Sequence, residues 1–157
     1  MELAEIGKNI LTNCMNVKPG ENVLIVTDDE KYAIGQALYQ AAKLLKAEAM
    51  LMTMPAREVS GQEPPAVVAA AMKAADVVIC PMKTSITHTR AKIEAAEAGA
   101  RIATMPGITE EMFAMGAMTA DYSRVMALTE QVTDLLTNAN TARIEKDGHV
   151  LTLDLRG

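Results

Sequence analysis

The chain has 157 residues, enough for one domain with a real core, and that core must be aliphatic, since aromatics make up only 3% with no Trp and one Phe. A net charge of −5, with both signs scattered along the chain, argues against nucleic acid or an anionic membrane as partner. No leader peptide or membrane span is legible, and Cys14 and Cys80 form neither a CxxC nor a metal spacing, so they read as buried, reduced thiols of a cytoplasmic protein. The 12 Met read as core filler.

In chain order, Glu2 to Asn16 carries Leu3, Ile6, Ile10, Leu11 and Cys14 at helical spacing. Lys18-Pro19-Gly20-Glu21 is a turn. Asn22 to Thr27 is a short continuous apolar run, the pattern of a strand buried on both faces. Asp28-Asp29-Glu30 then opens a helix over Lys31 to Lys46, where acids suit the positive end of the helix dipole better than they suit a metal. Glu48 to Thr53 is the second strand. Residues 54–65 form a long polar connection with three prolines, a length that usually signals function or a partner.

Ala66 to Ala75 is an Ala-rich helix able to pack closely. Asp76 to Cys80 is the third strand, Thr87 to Ala98 a helix stopped by Gly99, and Arg101 to Thr104 the fourth strand. Met105-Pro106-Gly107 turns the chain into a short helix from Thr109, a natural N-cap. Asp121 to Asn140 is a long helix with Val125, Leu128, Val132, Leu135 and Leu136 on one face. Thr141 to Lys146 and His149 to Leu155 are alternating strands joined by Asp147-Gly148, a type I′ hairpin signal.

This alternation predicts an α/β fold: a Rossmann- or flavodoxin-like parallel sheet of about four strands, order 2-1-3-4, flanked by helices over residues 1–140. Residues 141–157 are expected to be a β-hairpin that begins a second sheet, truncated or completed by a partner. Its face of Leu151, Leu153 and Leu155, opposite Thr152 and Asp154, needs a cover, so a homo-oligomer, most simply a dimer, is expected.

The richest polar stretch lies between the third strand and the next helix. Lys83, Thr84, Ser85, Thr87, His88 and Arg90 should stand at the C-terminal edge of the sheet beside Asp28. Free N–H groups, hydroxyls and cations there suit a carboxylate, sulfate or phosphate. The same hydroxyls could instead only cap the helix and tie the loop down. Ser85 and His88 lack a visible third group, so no catalytic residue is assigned. GxGxxG, GxxxxGK[ST], HExxH and GxSxG are all absent, and no residue cluster suggests a metal site.

The pieces KPGENVLIVTDD, SGQEPP, AAMKAADVVICPMKTSITHTRAKIEAAEAGARIATMPGITEEMF and the closing strand–turn–strand, in this order, resemble the N-terminal half of the aminopeptidase T family of leucyl aminopeptidase-like metallo-aminopeptidases. Some ring-cleaving dihydroxypyridine dioxygenases share the likeness. The resemblance implies a hydrolase of peptide substrates that dimerises and carries a zinc- or cobalt-type divalent metal pair, with the ligands in a half absent from this chain. The chain itself would hold no cofactor and would serve as scaffold and substrate-cavity wall, inactive alone. The alternatives are a small-molecule or anion-binding α/β domain, or part of a dihydroxypyridine ring-cleaving dioxygenase.

Overall fold

The computed structural model describes residues 3–156, so the helix start expected at Glu2 lies outside the described residues. The chain forms two compact units that part between Thr119 and Ala120. In the first, α1 (Leu3–Asn13), β1 (Asn22–Asp28), α2 (Tyr32–Leu44), β2 (Glu48–Met54), α3 (Ala66–Ala74), β3 (Val77–Met82), α4 (Arg90–Glu97), β4 (Arg101–Pro106) and α5 (Glu110–Ala114) follow in order, closed by a 3-10 turn over Gly116–Thr119. The strands form one parallel sheet in the order β2-β1-β3-β4, as expected from the sequence.

Alternation along the two central strands builds two cores. Val23 and Ile25 of β1 and Val77 and Ile79 of β3 point to one face, where they meet Ile6, Leu11, Ile34, Leu38 and the single Phe, Phe113. Leu24, Val26, Val78 and Cys80 point to the other, against Val68, Met72, Ala91 and Ala95 of α3 and α4. Each large aliphatic side chain fully buried this way stabilises the fold by about 1.5–3 kcal/mol. Small residues set the helix distances: a Cβ on Gly7 of α1 would stand 3.0 Å from the Cβ of Ala41 on α2. Cys80 is buried and its thiol is pushed up to about 12 by desolvation, which leaves it inert. Cys14, expected to be buried, is exposed just beyond the last turn of α1.

The largest departures from expectation fall around the polar stretch. Strand β3 runs on through Pro81 and Met82, paired to Met105 and Pro106 of β4. On its other side the ladder to β1 stops at Ile25–Ile79. Two residues on in this register, Thr27 would face Pro81, which has no N–H to give. Instead the Thr27 hydroxyl donates to the Pro81 carbonyl at 2.9 Å. Helix α4 starts at Arg90, three residues later than expected, because Thr89 is the N-cap: its Oγ1 accepts from Lys92 N at 3.3 Å.

The second unit holds α6 (Tyr122–Asn138), capped by Asp121, and the antiparallel pair β5 (Thr141–Lys146) and β6 (His149–Asp154). Asp147 and Gly148 both have positive φ, 52° and 78°, as a type I′ turn requires. Ala142 and Ile144 pair with Leu153 and Leu151 on one face of the ribbon. Among the described residues of this unit none is buried.

Gly35, on α2 over Thr27, provides a test of how tightly the helix sits on β1. A Cβ there would meet Thr27 Cγ2 at 2.8 Å and Thr27 Cβ at 2.9 Å. Gly35→Ala should therefore destabilise the protein by about 1–2 kcal/mol in urea unfolding, the overpacking cost outweighing the gain in helix propensity. In a Thr27→Ser background, which removes the methyl at 2.8 Å but keeps the Cβ and the hydroxyl, part of that loss should vanish. An equal loss in both backgrounds would place the strain elsewhere.

Candidate functional site

All four strands end on one edge of the sheet, and four loops rise from it: 29–31, 55–65, 83–89 and 107–109. The order in which strands are laid down reverses between β1 and β3, where α/β sheets open a crevice. Asp28 sits at that point. It is fully buried, and its carboxylate accepts three backbone N–H groups. Oδ1 takes Glu30 N at 3.1 Å and Lys31 N at 3.0 Å; Oδ2 takes Lys83 N at 2.6 Å across the crevice. A buried carboxylate is tolerable only when so satisfied. Asp28 thus clamps the loop after β1 to the loop after β3, and none of this leaves its oxygens turned to solvent.

The side chains of the polar stretch divide into two sets. The cations turn outward. Lys83 Nζ reaches Glu30 Oε1 at 2.6 Å, and that carboxylate holds the ammonium above its ordinary value. Arg90 is exposed and pairs with Glu94 of its own helix at 3.6 Å, and His88 is exposed. The hydroxyls turn inward. Ser85 Oγ donates to Thr87 Oγ1 at 2.9 Å, and Thr87 Oγ1 shares a 2.9 Å hydrogen bond with Thr104 of β4. Ser85 is thereby engaged with Thr87 rather than His88. Thr84 Oγ1 is shut off from solvent with no partner among the described residues.

The loop after β2 completes the edge, and sequence spacing gave no sign of its contacts. Ala56 N donates to Asp29 Oδ1 at 3.0 Å, Gly61 N to Ser85 O at 2.8 Å, and Ser85 N to Ser60 Oγ at 3.2 Å. Glu63 then places its carboxylate on the first turn of α4, accepting from Arg90 N at 2.6 Å and Ala91 N at 3.2 Å. The anion seat offered by that helix is filled by the chain's own side chain.

The first unit carries two clefts of note, one of them at this edge. A polar one of about 160 Å³ lies beside the Asp28 loop, between Lys31, Ile108 and Glu110. A larger one of about 440 Å³ lies along β2 against α3, lined by Met50, Met52, Ala71 and Ala74, and carries little polar chemistry. Among the described residues no group of three or more His, Cys, Asp or Glu is placed to hold a metal ion.

The clamp can be tested directly. Asp28→Asn turns one acceptor into an N–H donor that faces a backbone N–H, so it should cost about 1.5–3 kcal/mol in urea unfolding and speed hydrogen exchange at the Lys83 amide. A loss below about 0.5 kcal/mol would show that the three hydrogen bonds do not hold the crevice.

Comparison with known proteins corrects the family suggested by the sequence. The pattern of the NicX family, described as 2,5-dihydroxypyridine 5,6-dioxygenase, matches residues 2–157. The structure of 2,5-dihydroxypyridine dioxygenase from Pseudomonas putida KT2440 superposes with a TM-score of 0.68 at 18% identity, covering 98% of this chain and 47% of that one. The chain thus spans about half the length of that dioxygenase, and at this identity the superposition shows a shared fold. No curated protein matches the sequence. The aminopeptidase T resemblance is overturned, and with it the peptidase and hydrolase reading and the zinc or cobalt pair it implied. The chain belongs to the NicX, 2,5-dihydroxypyridine 5,6-dioxygenase, family.

Proposed function

We propose that the chain is the α/β part of a ring-cleaving dioxygenase acting on a dihydroxylated pyridine. The match of the NicX family over residues 2–157 carries this reading. By its name, such an enzyme adds both atoms of O2 across the C5–C6 bond of 2,5-dihydroxypyridine and opens the ring. The crevice edge would take part as a wall for the ring. Thr84 and the exposed His88 would offer donors to its oxygens, Lys83, Ser85, Thr87 and Arg90, already paired within the fold, would line the approach, and Asp28 would hold the two loops in register.

Oxygen-activating metal sites are built from sets such as two histidines and a carboxylate. His88 and His149, the only histidines, fall in different compact units, and the described residues offer no such set. The residues of this chain do not fit that group, and no reaction step is assigned to a metal held by them. The test is oxygen uptake by the protein as its native gene encodes it. Dihydroxypyridine should disappear with one O2 consumed per ring, and Thr84→Val should raise KM more than it lowers kcat. Absence of oxygen uptake with any dihydroxypyridine, in protein loaded with divalent metals, would rule the reading out.

Assembly and location belong to the same proposal. In α6 the exposed Val125, Leu128, Val132 and Leu135 recur at 3-4-3 spacing, a helix-pairing seam, and Ile144, Leu151 and Leu153 of the ribbon are exposed as well. A cytoplasmic homodimer, free of nucleic acid and membrane, would cover such surfaces. Among the described residues no helix is long and apolar enough to cross a membrane. Light scattering on protein from the soluble fraction of its own cells should give at least twice the chain mass, and Leu128→Glu with Leu135→Glu should lower it. A strict monomer would count against the dimer.

A further inference from the structure

Two polar side-chain atoms of the first unit are shut off from solvent without a hydrogen-bond partner among the described residues, Arg57 Nε and Thr84 Oγ1. They belong to different loops of the same sheet edge, one after β2 and one after β3. Hydrogen bonds press these loops together at two places. At one, Ala56 N reaches Asp29 at 3.0 Å and Lys83 N reaches the adjacent Asp28 at 2.6 Å. Arg57 and Thr84 each stand one residue beyond that pair of anchors. At the other, Ser60 and Gly61 bond to Ser85 at 3.2 and 2.8 Å. Along the chain, the two residues that carry the orphaned atoms therefore fall between two stitches that join segment 56–61 to segment 83–85.

A buried donor without a partner is costly, and a native fold that keeps two on adjoining loops calls for a cause. A guanidinium only donates, and a hydroxyl can donate. The partner both lack is an acceptor, such as an oxyanion, and it can reach them only if segment 56–61 moves aside. Three hydrogen bonds hold that segment, from Ala56 to Asp29 and from Ser60 and Gly61 to Ser85, and beyond Gly61, at φ +86°, one side chain, Glu63, ties its far end to the first turn of α4.

We propose that residues 56–63 form a strap, latched by Glu63, over an oxyanion site whose donors are Arg57 and Thr84. A sulfate, a carboxylate or the ionised oxygen of a hydroxypyridine presents the required chemistry. The site stands independently of the dioxygenase reading; only the hydroxypyridine as its natural occupant rests on that reading.

Amide NMR titrations of the chain with sodium sulfate and, separately and without oxygen, with 2,5-dihydroxypyridine test this. Saturable shifts are expected at residues 57–61 and 83–85. Thr84→Val and Arg57→Lys, checked for native far-UV circular dichroism, should each weaken binding about tenfold, the scale of one hydrogen bond to a charged group. Glu63→Gln should loosen the latch, speed hydrogen exchange over 57–61 and tighten apparent binding several-fold, since less of the protein stays closed. Binding of sulfate but not of the dihydroxypyridine supports the strap site and removes the ring as its occupant. No saturable shift with either probe, in both the natural sequence and Glu63→Gln, overturns the proposal. So does binding unchanged by both donor substitutions.

Discussion

The crevice at the sheet edge depends on a missing hydrogen-bond donor and the carboxylate that compensates for it. Pro81 cannot contribute an N–H, and the β1–β3 ladder stops before it. Left there, two central strands would part with buried polar backbone exposed between them. Thr27 takes the Pro81 carbonyl, and Asp28 gathers three N–H groups from both loops. Polar side chains thus replace the ladder where it fails, and they do so inside the fold, where a satisfied charge-assisted bond is strong and an unsatisfied one is expensive. The opening stays fixed in width because its two walls share one carboxylate.

Most of the polar chemistry around this opening is consumed in holding it. Ser85, Thr87 and Thr104 form one chain of hydroxyls, Lys83 is paired to Glu30, and Glu63 sits where α4 would otherwise attract an anion. A polar cluster in sequence therefore overstates the number of groups free to meet a ligand. What distinguishes Arg57 and Thr84 is that the fold brings them in from solvent and then gives them nothing to bond.

The architecture was legible because it follows from short-range pattern. Short apolar runs at 22–27 and 76–80, rich in β-branched residues, read as strands buried on both faces, and the helices between them force parallel pairing. The errors came where one residue's role is set by a distant one. Cys80 read as the end of a strand and Pro81 as loop, yet pairing with β4 carries the strand through Pro81 to Met82. Thr87 read as the start of a helix, yet its hydroxyl is drawn to Thr104, and Thr89 caps instead. The candidate loop after β3 was visible as a cluster of hydroxyls and cations. Arg57 and Glu63 were not, since their meaning lies in contacts across 25 to 28 residues of sequence made by their loop.

The same reasoning explains why the family was misjudged. The pieces that carried the aminopeptidase resemblance are fasteners. In KPGE, Gly20 takes φ +82° and Glu21 accepts from Lys18 N at 2.8 Å and from Arg101 at 2.7 Å, and the arginine holds that carboxylate below its ordinary range. In GAR, Gly99 at φ +105° ends α4 so that Arg101 can meet Glu21 and the Met15 carbonyl. In HTRA, the threonine is the α4 cap. These residues fasten strand ends and a helix start to neighbouring turns, a need that any protein with this sheet shares whatever reaction it serves. Motifs of that kind identify a scaffold. Chemistry has to be read from polar groups the scaffold leaves without partners, and in this sheet edge those lie in the loop after β2 as much as in the one after β3.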